Sequence, residues 1–302
     1  MLAANISWCC HCNDLPGDQV IFHDNDFEIF VDADGSNINY KEYEMNAANM
    51  NGTSATWDLL LDHTYTDGGN ENSSRVAGAN GWDDMVPRDR GHARTYSDGV
   101  LNDPQHRPTF WSAEVALPLS KLAELTSAAG QRVGSGKMWR INFSRVEWAL
   151  NITADGKSYQ KYPSCQSCPV PGTDSEDNWV WSPQGAIAMH QPETWGFLQF
   201  SDDGVNATAP VRSPEWPVRS AAMVAYYAQM AYRAANNGSY ARTVSQLLPF
   251  ATVPQALDGT CFDTPTFVLS EDARSYNCTI VDETNSVVGT IRNDRYLRVR
   301  AV

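Results

Sequence analysis

From Gln19 to Phe200 polar and apolar side chains alternate in short runs separated by turn residues. This two-residue period is the strongest constraint in the chain. A strand sends successive side chains to opposite faces, so each run describes a strip with one wet and one dry side. MWRINFSRVEW (138–148) is the clearest case, with Arg140, Asn142 and Ser144 on one face and Ile141 and Phe143 on the other. NYKEYEMNAAN (39–49) places Tyr40, Glu42, Glu44 and Asn46 together, opposite Lys41, Tyr43, Met45 and Ala47. VIFHDNDFEIFVD, TWDLLLD, TFWSAEVALPL, NWVWSPQGAIAM and TWGFLQFS supply further strands, with Asp34-Gly35 as a turn signal. PLSKLAELTSAAG reads as a short helix opened by proline and closed by Gly130. Many short strands with one short helix predict a mainly β fold, an antiparallel β-sandwich over residues 1–201.

The character changes after Ser201. Residues 202–218 are polar and proline-rich and read as a linker. SAAMVAYYAQMAYRAANNGSYARTVSQLL then has apolar residues at helical spacing, with Asn236-Asn237-Gly238 as its stop. TPTFVLS, SYNCTIVDE, SVVGTIRN and RYLRVRA follow as short strands, so residues 219–302 are expected to form a small α+β domain.

Composition restricts the partners. The 302 residues carry a net charge of −14, which repels phosphate backbones and anionic lipid surfaces. No apolar run approaches the ~20 residues that span a bilayer. Nucleic acid and membrane insertion are therefore excluded as expectations, while neutral sugars and cations are compatible. The first residues, MLAANISWCCHCNDLPGDQ, lack the basic start and apolar stretch of a secretory signal. Eight N-x-S/T sequons, beginning at Asn5, Asn51, Asn72, Asn142, Asn151, Asn206, Asn237 and Asn277, together with seven cysteines, nevertheless favour an extracellular or cell-surface location. Cys261 and Cys278 flank a predicted hairpin and are expected to close a disulfide. Cys9, Cys10 and Cys12 with Cys165 and Cys168 have two readings, a zinc site or disulfides tying the N-terminal segment to a loop.

The series DNDFEIFVD (24–32), WDLLL (57–61), WSAEVALPL (111–119), WRINFSRVEW (139–148), NWVWSPQG (178–185) and WGFLQF (195–200) resembles the family 9 carbohydrate-binding modules. The resemblance covers about residues 19–200, with several motifs in order. It implies a β-sandwich jelly roll that binds sugars, associated with proteins of polysaccharide breakdown, and it also implies structural calcium. Two departures stand out. Only about 20 cysteine-rich residues precede the first motif, where the family has further strands; a missing strand leaves an open edge. The family's aromatic clamp falls near Phe22 and near Met189-His190, so a double-tryptophan clamp is not reproduced. Glu28 matches a sugar-contacting carboxylate and Asn142 a polar strand position. The C-terminal part is similar to pilin-like modules, which implies no chemistry.

Sugars stack their C–H faces on aromatic rings while planar polar side chains hold the hydroxyls. The expected carbohydrate site gathers Glu28, Glu44, Asn46, Arg140 and Asn142 on one concave sheet face, with Phe22, Trp57 and Trp181 as platforms and His190 near the second clamp position. The competing reading makes the polar residues a salt-bridged face, with Arg140 paired to Glu44, and the tryptophans core. Glu28 and Glu44 on neighbouring strands also approach the carboxyl spacing of a glycoside hydrolase acting on O-glycosyl bonds. A third reading is a structural cell-surface module without a ligand. Asp32, Asp34 and Asn37 form an oxygen-rich turn with two readings, a simple calcium site or a metal-free Asp-Gly turn. The EF-hand is ruled out because Tyr43 stands where its bidentate glutamate belongs.

Overall fold

The computed structural model describes residues 25–47, 57–61, 92–124, 126–161, 176–185, 189–204, 209–284 and 286–302. Phe22 and Cys9, Cys10, Cys12, Cys165 and Cys168 lie outside the described residues, as do the side chains of Glu44 and Trp57. The protein is mainly β and its paired strands are antiparallel. A six-stranded sheet contains β1 (Asp26–Asp32), β2 (Lys41–Asn46), β3 (Trp57–Leu61), β6 (Met138–Trp148), β9 (Glu176–Val180) and β10 (Gly196–Gln199). Its order is β10-β6-β1-β2-β3. The long β6 pairs β10 along its first half and β9 along its second. Two ribbons stand apart, β4 (His92–Ser97) with β5 (Trp111–Ala116), and β7 (Leu150–Ile152) with β8 (Tyr159–Lys161).

The alternation read from the sequence sets the two faces of this sheet. Ile29, Val31, Tyr43, Met45, Trp139 and Ile141 project to one side and form its main hydrophobic core. That core is closed by Leu122 of α1 (Leu119–Leu122), by Ala123 at its C-cap, and by Val115 and Leu117 just before it. The helix expected from 118 to 130 is a single turn. Thr126 donates its hydroxyl to the Ala123 carbonyl at 2.7 Å and accepts the Ala128 N–H at 3.1 Å, offering the backbone a turn in place of further helix.

The C-terminal part has its own core. α2 (Trp216–Ala235) starts four residues earlier than the apolar periodicity suggested, with Pro217 in its first turn, where a missing N–H is harmless. Its apolar face packs on β12 (Tyr276–Val281), β13 (Val287–Arg292) and β14 (Leu297–Ala301). With β11 (Thr266–Leu269) these complete a four-stranded sheet ordered β11-β12-β13-β14. α3 (Val244–Leu247) carries a Thr243/Gln246 capping box. The packing of α2 is close. A Cβ on Gly289 would stand 2.6 Å from Val218 Cγ1, so only glycine lets the helix approach β13 there.

The expected Cys261–Cys278 disulfide is not formed, and both thiols are free. Cys278 is buried on β12 opposite Phe267 and Ile291, whereas Phe262, next to Cys261, bridges Asp282 at the far end of that strand. Four residues of strand amount to about 13 Å, well past the ~7 Å Cα separation a disulfide tolerates. Burial also raises the Cys278 thiol far above its ordinary pKa. Native-state alkylation followed by peptide mapping is therefore expected to label Cys261 and leave Cys278 unmodified; equal labelling of the two would contradict this packing.

The polar sheet face and the exposed tryptophans

Cross-strand partners point to the same side of a sheet. Glu28 lies opposite Ser144 and Glu44, Phe30 opposite Asn142 and Glu42, and Asp32 opposite Arg140. Asp26 lies opposite Asn46. The predicted convergence of Glu28, Asn46, Arg140 and Asn142 on one face is thus present, and the backbone of Glu44 shares that register. The predicted access is not. Glu28 is 4% exposed, Asn142 and Asn46 are fully buried, and Arg140 is nearly so. Gln184 and the stretch from Met189 to Trp195 lie against this face. Met189 and Trp195 pack with Phe30 and Tyr40, Ser144 Oγ reaches Met189 Sδ at 3.4 Å, and Asn142 Nδ2 faces Gln184 Oε1 at 3.5 Å. An open pyranose wall at these residues is therefore corrected to a buried polar layer.

Arg140 has a different partner from the one expected. It donates to the Trp195 carbonyl at 2.7 Å and the Glu193 carbonyl at 3.3 Å. Its guanidinium lies 3.9 Å from the Phe197 ring centre and 5.2 Å from that of Trp216 at the start of α2. Burial, aided by the nearby Arg219 charge, lowers its pKa to about 10, so it stays cationic at neutral pH. His190 is half-buried. Its Nδ1 is 2.7 Å from the Tyr40 hydroxyl and its ring meets Phe30 edge-on at 5.7 Å, an interior placement rather than a clamp.

The oxygen-rich turn is built by N–H donors. Asp32 accepts the backbone N–H groups of Gly35 and Asn37, each at 2.9 Å, and of Asp34 at 3.3 Å. Asp34 accepts Ser36 N–H at 3.0 Å and both the N–H and hydroxyl of Ser127 at 2.7 and 2.8 Å. The Asn37 amide donates outward, to Met223 Sδ and the Arg295 carbonyl. Oxygens aimed at N–H hydrogens face positive partial charge, so this arrangement of Asp32, Asp34 and Asn37 does not fit a calcium ion. Among the described residues no group of three His, Cys, Asp or Glu side chains could hold a metal.

The same turn joins the two parts of the molecule. Arg219 Nη1 donates to the Gly35 carbonyl at 2.6 Å while its Nη2 pairs with Glu215 at 2.8 Å, and Leu297 N–H bonds to the Ser36 carbonyl. Beside it a cleft of about 440 Å³ is lined by residues including Asp34, Lys137, Trp139 and Arg219. On the other flank Arg295, 2% exposed, holds both carboxylate oxygens of Glu193 at 2.5 and 2.6 Å and the Tyr227 hydroxyl at 3.0 Å.

The opposite sheet face carries a feature the sequence reading placed only in part. Trp179 and Trp181 are 43% and 52% exposed. Trp179 lies opposite Arg145; the Trp181 backbone N–H donates to the Phe143 carbonyl, and its indole meets the Phe143 ring edge-on at 5.1 Å. Both indoles therefore lie on the Phe143 side, away from Glu28 and Asn142. Phe143 in turn stacks on Phe27 at 6.1 Å. Arg145 is held by Glu147 at 3.1 Å beside Trp179. Trp181 was foreseen as a platform, but on the wrong face; Trp179 and Arg145 were missed. Two signals pointed to them, the Trp-x-Trp spacing of NWVWS and an arginine that alternates onto the apolar face of β6.

No protein-family model matches the chain, and neither does any curated protein or solved structure.

Proposed function

We propose that the part of the chain ending near residue 201 is a non-catalytic carbohydrate-binding module of the jelly-roll kind, with the β4–β5 ribbon as part of its second layer. Its binding surface is the Trp179–Trp181 platform. The observation that carries this reading is the pair of exposed indoles at alternate positions of one strand line. The strand rise puts their anchor points about 7 Å apart, suited to neighbouring rings of an oligosaccharide. Tryptophan offers the large rigid face that sugar C–H groups stack on, and the Glu147 carboxylate, a third exposed and held by Arg145, offers a hydroxyl acceptor at its edge. The motif series that resembles family 9 carbohydrate-binding modules points to the same ligand class, and the net charge of −14 favours neutral glycans over polyanions. A glycoside hydrolase needs carboxyls open to substrate, and Glu28, at 4% exposure, is not.

Titration of a panel of neutral oligosaccharides, followed by tryptophan fluorescence, tests the proposal. At least one glycan is expected to bind, and Trp181→Ala to weaken it roughly fivefold to tenfold. Gly196→Ala provides a second probe. Its added Cβ would lie 2.5 Å from Trp181 Cζ2, so the indole must tilt and affinity falls while Trp181 is still present. Binding that survives both substitutions, or a panel without any binder, removes the platform as the site.

A further inference from the structure

The charge of this protein is unevenly divided. Residues 219–302 hold eight arginines, no lysine and seven acids, a net +1, which leaves −15 on the preceding 218 residues. Within the C-terminal sheet the arginines are also unevenly placed. Val287, Gly289 and Ile291 of β13 turn toward α2, so Val288, Thr290 and Arg292 face outward. In register beside them on β14 stand Arg298, opposite Thr290, and Arg300, opposite Val288. These side chains and Tyr296 line a groove of about 230 Å³.

The three guanidiniums differ. Arg292 is committed: it pairs in two-pronged fashion with Asp294 and lies 4.5 Å over the Tyr296 ring. Arg298 and Arg300 are exposed, and neither has an ion-pair partner among the described residues. Two residues of strand separate them, about 7 Å, so both forks can reach one bound group. Thr290 adds a hydroxyl, 3.5 Å from that of Thr279 on β12. The groove is thus a pair of free planar cations, a hydroxyl donor and acceptor, and an aromatic edge, on a rigid sheet backed by its own core.

We propose that this outer face of β13–β14 binds a hydroxylated monocarboxylate, the chemistry of a uronic acid residue. Arginine forks match a carboxylate in geometry as well as charge. The size of the groove admits one such group and not a drug-sized ligand. The shape of the forks favours a flat carboxylate on a hydroxylated ring, and the negative remainder of the chain opposes extended polyanions such as a nucleic acid or an anionic membrane, which reach beyond the arginines. The site lies apart from the tryptophan platform, and the neutral-glycan reading can fail without it.

Ligand-observed NMR on the full chain, wild type and Trp181→Ala, with sodium glucuronate, glucose, sodium sulfate and a hexaglutamate peptide tests it. Glucuronate is expected to bind at least tenfold tighter than glucose in the Trp181→Ala background, and to weaken severalfold when salt rises from 20 to 300 mM, roughly a threefold to fourfold shorter screening length. Arg298→Gln/Arg300→Gln is expected to lower that affinity tenfold or more. The proposal is overturned if glucuronate does not bind, if the double variant binds it unchanged, or if sulfate or the peptide binds equally well.

Discussion

Replacing Arg295 with methionine is expected to cost about 3–5 kcal/mol of stability, because it strands a buried carboxylate. Arg295 is almost fully enclosed and gives one nitrogen to both oxygens of Glu193, while the Tyr227 hydroxyl approaches the same pair. Burial alone would lower the arginine's pKa, but the Glu193 charge and hydrogen bond together with the neighbouring Tyr227 and Tyr226 more than offset it, and the net shift is upward. Its Nη1 also donates to the His190 carbonyl at 3.2 Å, and its own carbonyl receives Asn37. The residue therefore ties the segment covering the six-stranded sheet to the C-terminal unit. Chemical denaturation measures the loss, and limited proteolysis within 202–218 should accelerate alongside it. Glu193→Gln in the methionine background removes the stranded charge, so the double variant is expected to recover part of the loss. A methionine variant as stable as wild type would mean that this junction does not hold the two parts together.

The second large effect concerns pH. Burial, with the negative charge of Asp34 adding to it, raises the Asp32 carboxyl to about 7, against the pull of the Asn37 N–H bond. In the unfolded chain the group titrates near ~3.9. Between these values the folded state keeps a proton that the unfolded state has released. This contribution to stability is complete below about pH 4 and is lost as pH rises through 7. Its size is on the order of 4 kcal/mol. Wild-type stability is expected to fall from pH 5 to pH 8, while Asp32→Asn follows a flatter profile over the same window because nothing ionises at that position. Groups that do not interact with Asp32 titrate in both proteins and cancel in the difference, while Asp34, coupled to it, contributes to the same difference. The substitution itself costs about 1–2 kcal/mol at pH 5, since the amide NH₂ replaces an oxygen that accepts a backbone N–H. Parallel wild-type and Asp32→Asn profiles would refute the shifted carboxyl. The turn that Asp32 organises carries the Gly35, Ser36 and Asn37 contacts to Arg219, Leu297 and Arg295, so the pH response should appear first as loosening of that junction.

Much of this was legible beforehand. MWRINFSRVEW and DFEIFVD could be read as strands because alternation is a local property, and their polar positions do share one face. The order of a long helix and then four strands after residue 216 followed from the switch to helical spacing and then back to a period of two. The helix at 118–130 was overestimated because Thr126 captures its neighbours' backbone groups, a choice that proline and glycine signals do not reveal. The disulfide failed because flanking a hairpin in sequence says nothing about position along a strand.

What the amino-acid order determined alone was which residues share a face, since that depends only on the geometry of an extended backbone. It also determined the acidic character and the place where β periodicity gives way to helix. What only the tertiary structure decided was which face meets water. Glu28, Arg140 and Asn142 look like a binding wall in isolation, yet Met189, Trp195 and the α2 start close over them. Trp179 and Trp181, which a sequence reader would assign to a core, are left outside. The reason is physical: alternation sorts side chains between two sides, but coverage depends on segments distant in the chain, whose docking no local pattern encodes.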